Sequence, residues 1–200
     1  LEMMPNGTIL VDSQMKTNLP NVYAAGDCVC VTNRLTGERA WSPMGSSANM
    51  EGRTLAEAMC GEDSSYPGVL GTAVVKLPEL NGGRTGLSEG AAKQAGFDVI
   101  SVVIATDDKA HYYPGAGMFI IKLIADKNSR KLLGVQVLGS GAVDKVTDVG
   151  VVALTMGATI DQLQNMDMAY APPFSTAIHP FVTAINVLKN KLEGKMDSMT

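Results

Sequence analysis

Apolar and polar positions change their period several times along the chain, and each change marks an element. Thr8–Asp12 and Asn21–Ala25 are short β-rich runs separated by Asn and Pro, the pattern of two strands joined by a loop. A polar loop follows over Thr32–Arg39, and Pro43 then opens a helical pattern with Ser46 and Ser47 suited to its first turn. Ala48, Met50, Leu55, Ala56 and Met59 supply that helix with an apolar side, and Gly61 ends it. From Cys60 to Gly68 the composition is that of a linker.

Beyond the linker the spacing predicts a strand at Gly71–Leu77, a glycine-rich turn at Asn81–Gly83, and a short helix with Ser88 as N-cap and Gly96 just past its end. Strands are expected at Asp98–Thr106, Met118–Ala125 and Leu132–Leu138, with Asn128 and Ser129 in the last hairpin. Met118, Ile120, Lys122 and Ile124 alternate with Phe119, Ile121 and Leu123, so these strands form an antiparallel meander. Val143, Val146, Gly150, Ala153 and Met156 or Gly157 recur at helical intervals, and Thr159-x-x-Gln162 is a capping box for a further short helix. A loop stiffened by Pro172 and Pro173 leads into a last helix, Phe181–Leu192.

The expected fold is α+β: an antiparallel sheet with helices packed on it, preceded by a short piece of an α/β domain. The boundaries fall at 1–60, a linker over 61–69, a second domain over 70–192 and a tail over 193–200. A chain of 200 residues buries roughly 70% of its unfolded surface, enough for one good core or two small ones.

Composition narrows the partners. A net charge of −4 with 5% aromatic residues provides neither a basic footprint nor a stacking platform, so no nucleic-acid partner is expected. The longest apolar runs, Val149–Met156 and Gly117–Ala125, are too short to span a membrane, and no signal peptide opens the chain. A cytoplasmic protein is the default. Cys28, Cys30 and Cys60 are an odd set whose first pair has the wrong spacing for a redox or zinc motif, so they read as reduced thiols and no metal site is expected. The chain opens on Leu1-Glu2 rather than Met and reads as a piece of a longer protein.

Gly26-Asp27 carries the clearest chemical signal. An aspartate after a glycine at the end of a buried strand can accept hydrogen bonds from a sugar-like hydroxyl, because the missing Cβ lets a ligand approach the backbone. The helix opened by Pro43 would aim free N–H groups back toward this loop; the alternative is an ordinary capped surface helix.

The run from Gly7 to Asp12 followed by Asn21 to Asp27 resembles the second FAD-binding segment of the flavin-dependent pyridine nucleotide–disulfide oxidoreductases. Residues 70–190 resemble that family's dimerisation domain. The stretch from Tyr170 to Ser175 is most similar to the branch of coenzyme A-disulfide reductases, NADH oxidases and NADH peroxidases. The resemblance implies that Asp27 binds the ribityl hydroxyls of FAD, with Gly26 permitting close approach. Met44, Gly45 and Ser46 would bring backbone N–H groups to the flavin pyrimidine edge, where the positive helix end favours an anionic reduced flavin by about 0.3–1 kcal/mol when exposed.

The same resemblance implies that Tyr170 and Phe174 reach across a homodimer interface, Tyr170 as a catalytic proton donor and Phe174 in the substrate pocket; the alternative is two aromatics packing a stiff turn. His179-Pro180 matches the catalytic His-Pro pair of the glutathione-reductase branch, whose imidazole is held by a glutamate five residues later. That later position is Ala184 here, so His179 lacks its orienting carboxylate, and helix capping or interface packing is the alternative. His111, in a polar stretch, reads as solvated. No Gly-x-Gly-x-x-Gly after an N-terminal strand, nicotinamide-binding unit or upstream redox cysteine motif occurs in the sequence.

The expectation is thus the C-terminal region of a flavoprotein passing electrons from NAD(P)H through FAD to a small-molecule disulfide, persulfide, peroxide or oxygen, inactive and flavin-free as this piece alone. The alternative is a stand-alone dimerising module without chemistry.

Overall fold

The computed structural model describes residues 1–196; residues 197–200, the end of the expected tail, lie outside the described residues. The chain divides into two compact units, Leu1–Gly71 and Thr72–Thr200.

The first unit holds β1 (Ile9–Leu10), β2 (Val29–Thr32), β3 (Arg39–Ala40) and α1 (Gly45–Met59). β1 runs parallel to β2, with Ile9 opposite Val29 and Leu10 opposite Cys30, and β3 lies antiparallel on the other side of β2. Val11, Met15, Val29, Val31, Tyr66 and Val69 form the core.

The expected strand at Asn21–Ala25 does not form. Its backbone is engaged locally: the Val22 N–H donates to Leu19 O and the Ala24 N–H to Met15 O, leaving a single bridge between Tyr23 and Lys16. The strand begins after Asp27 instead, in the β-branched run Val29–Thr32, and returns through a hairpin where a loop over Thr32–Arg39 was expected. Asn33 stabilises that hairpin by accepting the Leu35 N–H on its Oδ1 at 2.9 Å.

Helix α1 ends near the expected place, with Cys60 as C-cap and Gly61 at φ 86°. The expected apolar face is buried only in part, with Ala48 half-buried and Leu55 packed against the core. Met50, Ala56 and Met59 are exposed, and the buried positions are Ser47, Glu51 and Thr54, a polar stripe at helical spacing.

The second unit contains β4 (Ala73–Lys76), β5 (Asn81–Gly86), α2 (Glu89–Gln94), β6 (Val99–Asp107), β7 (Met118–Asp126), β8 (Leu132–Gly139), α3 (Val143–Thr155), α4 (Ile160–Leu163) and α5 (Pro180–Leu192). Its strands make one antiparallel sheet in the order β4-β5-β8-β7-β6, so the fold is α+β as expected. β6, β7 and β8 are the meander read from the alternation, with Phe119, Ile121 and Leu123 buried and Met118 and Ile120 exposed. Helix α3 packs on β5 and β8, and α5 on β6 and β7.

Asn81–Gly83 belongs to a strand rather than to the expected turn. Glycine is needed there for packing: a Cβ on Gly83 would meet the Thr147 side chain of α3 and Val137 of β8. Gly150 performs the matching service on the helix, facing Val135 and Thr85. The capping box of Thr159 and Gln162 forms, and Ser88 Oγ accepts the Ala91 N–H to start α2. The sheet face away from α3 and α5 leaves Val75, Val103, Met118 and Ile120 exposed. Among the described residues no helix is long and apolar enough to cross a membrane.

Candidate functional site

The first unit builds a turn that presents one carboxylate. Gly26 has φ 91°, a backbone conformation that glycine adopts without strain, and its carbonyl accepts the Val29 N–H at 3.1 Å to close the turn Gly26–Val29. Trp41 Nε1 donates to the Asp27 carbonyl at 2.8 Å, and the Ile9 N–H donates to the Cys28 carbonyl at 2.9 Å. The main chain around Asp27 is therefore tied on three sides. Its side chain is exposed, and among the described residues its carboxylate has no hydrogen-bond partner. Gly26-Asp27 thus sits in the turn leading into β2, not at the end of the strand expected before it.

Helix α1 starts beside Met44, which makes no side-chain cap, and no acidic residue occupies the first turn. The Ala48 N–H is the first to find a helical acceptor, on Met44 O at 2.9 Å. The N–H groups of Gly45, Ser46 and Ser47 are left for an outside acceptor, as at any uncapped helix start. Gly45 and Ser46 are exposed and Met44 is half-buried.

Glu51 connects α1 to the turn. It is 2% exposed, and its Oε2 accepts the Gly26 N–H at 2.7 Å. Burial pushes its carboxyl above the ordinary range and the charge of Asp27 adds to that rise, while the Gly26 N–H pulls the other way. The buried Tyr66 phenol is raised first by burial and then by Glu51, and its hydroxyl has no hydrogen-bond partner among the described residues. Sequence reasoning missed both Glu51 and Trp41. The signal for Glu51 was present in the Ser47-Glu51-Thr54 spacing, which an apolar-face reading of the helix passes over.

The second unit carries Tyr170, Phe174 and His179 near one loop. Tyr170 is 51% and Phe174 72% exposed, both on irregular backbone held by the Phe174 and Ser175 N–H groups donating to Ala171 O. His179 is buried, and its Nδ1 accepts the Phe181 N–H at 3.2 Å, making it the side-chain cap of α5. Burial, with help from the Lys145 charge, lowers its pKa to about 4, so the imidazole is neutral at pH 7 and its proton sits on Nε2. A cavity of about 180 Å³ lies beside it, lined by Asp108, Lys109, Phe119, Lys145, Phe174 and His179 among others. His111 is exposed, edge-on to Tyr112. Cys28, Cys30 and Cys60 are free thiols.

In chemical terms the first cluster offers an acceptor for hydroxyls at Asp27 and donors for a carbonyl or an anion at the start of α1. The second offers a phenol and an exposed aromatic ring.

Comparison with known proteins matches each unit to a domain of one family. Residues 72–181 match the pyridine nucleotide-disulphide oxidoreductase dimerisation domain, and residues 1–54 match the pyridine nucleotide-disulphide oxidoreductase domain. The chain is 36% identical over 183 residues to an NAD(P)H sulfur oxidoreductase (CoA-dependent) of Pyrococcus furiosus, covering 92% of this chain and 41% of that protein. It is 32% identical over 175 residues to the coenzyme A disulfide reductase of Staphylococcus aureus, covering 87% and 39%. The structure of an NAD-dependent persulfide reductase from A. fulgidus superposes with a TM-score of 0.95 at 40% identity, over 100% of this chain and 37% of that one. The chain therefore spans about two-fifths of the length of these relatives.

Proposed function

We propose, from the premise that this chain belongs to the pyridine nucleotide-disulphide oxidoreductase family, that it is the C-terminal region of a flavoprotein passing electrons from NAD(P)H through FAD to a small-molecule acceptor. The acceptor is a disulfide, persulfide, peroxide or oxygen. The observation that carries this reading is the Asp27 carboxylate, without a hydrogen-bond partner among the described residues, on a turn held through the Gly26 N–H and the carbonyls of Gly26, Asp27 and Cys28.

The residues fit part of an FAD site. Asp27 accepts the ribityl hydroxyls, and Gly26, with only Ala48 Cβ at 3.8 Å from where its own Cβ would be, leaves the approach open. Met44, Gly45 and Ser46 begin α1, whose free N–H groups suit the carbonyl and anionic nitrogen edge of a flavin ring. When bound, the flavin supplies the two-electron relay between nicotinamide and acceptor.

Residues 72–181 are the dimerisation domain, and self-association as a homodimer is supported by the open sheet face bearing Val75, Val103, Met118 and Ile120. Tyr170 donates a proton to the acceptor from the partner's side of the interface, and Phe174 lines the substrate pocket. His179 caps α5 through Nδ1, so any catalytic part it takes comes through its Nε2–H as a neutral donor. The segment 61–69 leads from the flavin-domain piece to the dimerisation domain, and its Tyr66 and Val69 pack into the core of the first unit, which ends at Gly71. The protein works in the cytoplasm, in keeping with its free thiols, without membrane or nucleic-acid partners.

The test is made on the full-length protein. It should purify as a yellow dimer that oxidises NAD(P)H in the presence of coenzyme A disulfide, polysulfide, peroxide or oxygen, and Asp27→Ala should lower its flavin content. A colourless full-length protein, or unchanged flavin affinity in Asp27→Ala, overturns the reading.

A further inference from the structure

The buried face of α1 poses a question that packing alone does not answer. Ser47, Glu51 and Thr54 occupy it where apolar side chains would cost nothing to desolvate, and a buried carboxyl is the most expensive of the three. Glu51 reaches back 25 residues in sequence to one atom, the Gly26 N–H, at 2.7 Å. At φ 91° the chain of Gly26 has left the extended path, and its N–H points to α1 instead of into a strand ladder. Without Glu51 that half-buried donor would lose its partner.

We propose that Glu51 is a positioning residue for the cofactor: by fixing the Ala25–Gly26 peptide it sets the direction of the Asp27 carboxylate that follows. This rests on the reading of Asp27 as the contact to the ribityl hydroxyls. Three other bonds hold the turn downstream of Gly26, to Val29, Trp41 and Ile9, and each of them acts on a carbonyl. Glu51 holds the turn from its upstream side through a donor. The same side chain also fixes the start of α1 relative to Asp27, because Glu51 stands on the seventh position of that helix. The ribityl acceptor and the helix N–H groups are thereby held as one unit. Burial raises the Glu51 carboxyl and the charge of Asp27 adds to the rise, while the Gly26 N–H opposes it.

The test is a double-mutant cycle in the full-length holoprotein, reading the FAD dissociation constant by flavin fluorescence and the secondary structure by circular dichroism. Asp27→Ala alone checks the underlying reading; if it leaves FAD affinity unchanged, that reading fails whatever Glu51 does. Glu51→Leu should weaken FAD binding about tenfold or more. In the Asp27→Ala background the same change should add less than about twofold, because the carboxylate it orients is gone. Penalties that multiply in full overturn the proposal and leave Glu51 a packing residue. Should Glu51→Leu fail to fold, Glu51→Gln decides. Its amide oxygen still accepts the Gly26 N–H, so affinity within about threefold of wild type supports the proposal and a tenfold loss in a folded protein overturns it.

Discussion

Trp41 Nε1 donates to the Asp27 carbonyl at 2.8 Å, joining the segment before α1 to the turn that presents the carboxylate. Trp41 is the only tryptophan of the chain and is 55% exposed, so it is not held there by burial. Its bond is a local clamp. Trp41→Phe keeps most of the ring area and removes the donor, and the Asp27 carbonyl then turns to solvent. A net hydrogen bond of this kind contributes roughly 0.5–1.5 kcal/mol. FAD affinity of the full-length protein should fall by a factor of about 2 to 10, with the melting temperature of the flavin-free form nearly unchanged. An equal loss of stability in the flavin-free protein would show that Trp41 holds the unit together instead of the turn.

Glu89 ties α2 to two strands. It accepts from Lys122 Nζ of β7 at 2.8 Å, Lys93 Nζ at 2.7 Å and Ser101 Oγ of β6 at 2.9 Å, at the first turn of the helix. These bonds, with Lys122 the strongest, lower its pKa from 4.5 to about 2. A carboxyl lowered on folding adds stability above its unfolded pKa and gives it up as the pH falls toward the folded one. Because the group is one-third exposed, solvent screening limits the effect to about 1 kcal/mol at neutral pH. Urea melts of Glu89→Gln should show that deficit at about pH 7 and less than about half of it at about pH 3. A deficit that does not change with pH would assign it to shape and not charge.

Where the chain repeats a period over a long run, its fold was legible. The alternation of Met118–Leu123 set the faces of β7, although Ile124, grouped with Met118 and Ile120, is fully buried beside a register shift, and the spacing of Val143, Val146, Gly150 and Ala153 set the buried side of α3. Single residues with strong local chemistry were legible too, as at the Thr159–Gln162 box and the Ser88 cap. Reading failed where a tertiary neighbour decides. Nothing within Asn81–Gly83 says that the glycines admit Thr147 of α3, so a turn was the natural expectation. Val22–Ala25 is apolar enough for a strand, but Asn21 at φ 60° and Gly26 at φ 91° commit its backbone to turns. At the site, Asp27 and the helix start were visible as residue types. Glu51 and Trp41 were not, because their roles depend on partners 25 and 14 residues away.

Tyr170 projects from irregular backbone with half its surface exposed, and the loop around it is limited by Pro172 and Pro173. A phenol held in this way can give a proton to a leaving thiolate or to a peroxide without repacking the fold. Tyr170→Phe keeps the ring and removes the proton. Turnover per bound flavin should fall by on the order of 100-fold, as for the loss of a general acid, while flavin content stays within experimental error. If flavin content falls and turnover per flavin does not, Tyr170 is a structural residue.

His179 provides a pH signature for the second unit. Its Nδ1 accepts the Phe181 N–H, so protonating it would break the cap of α5 as well as bury a charge near Lys145. The folded protein therefore keeps the imidazole neutral down to a pKa of about 4, against an ordinary value of 6.5. Above pH 6.5 neither state binds the proton and the group has no effect on the pH dependence. Between those two values the unfolded chain binds it and the folded chain does not, so stability falls as the pH is lowered. The loss by about pH 4.5 should be on the order of 1–2 kcal/mol. His179→Asn supplies a good N-cap that does not titrate. Denaturant midpoints measured from about pH 7 to about pH 4.5 should then decline more steeply for the wild type than for the variant, and parallel declines would mean that His179 takes up its proton in the folded state.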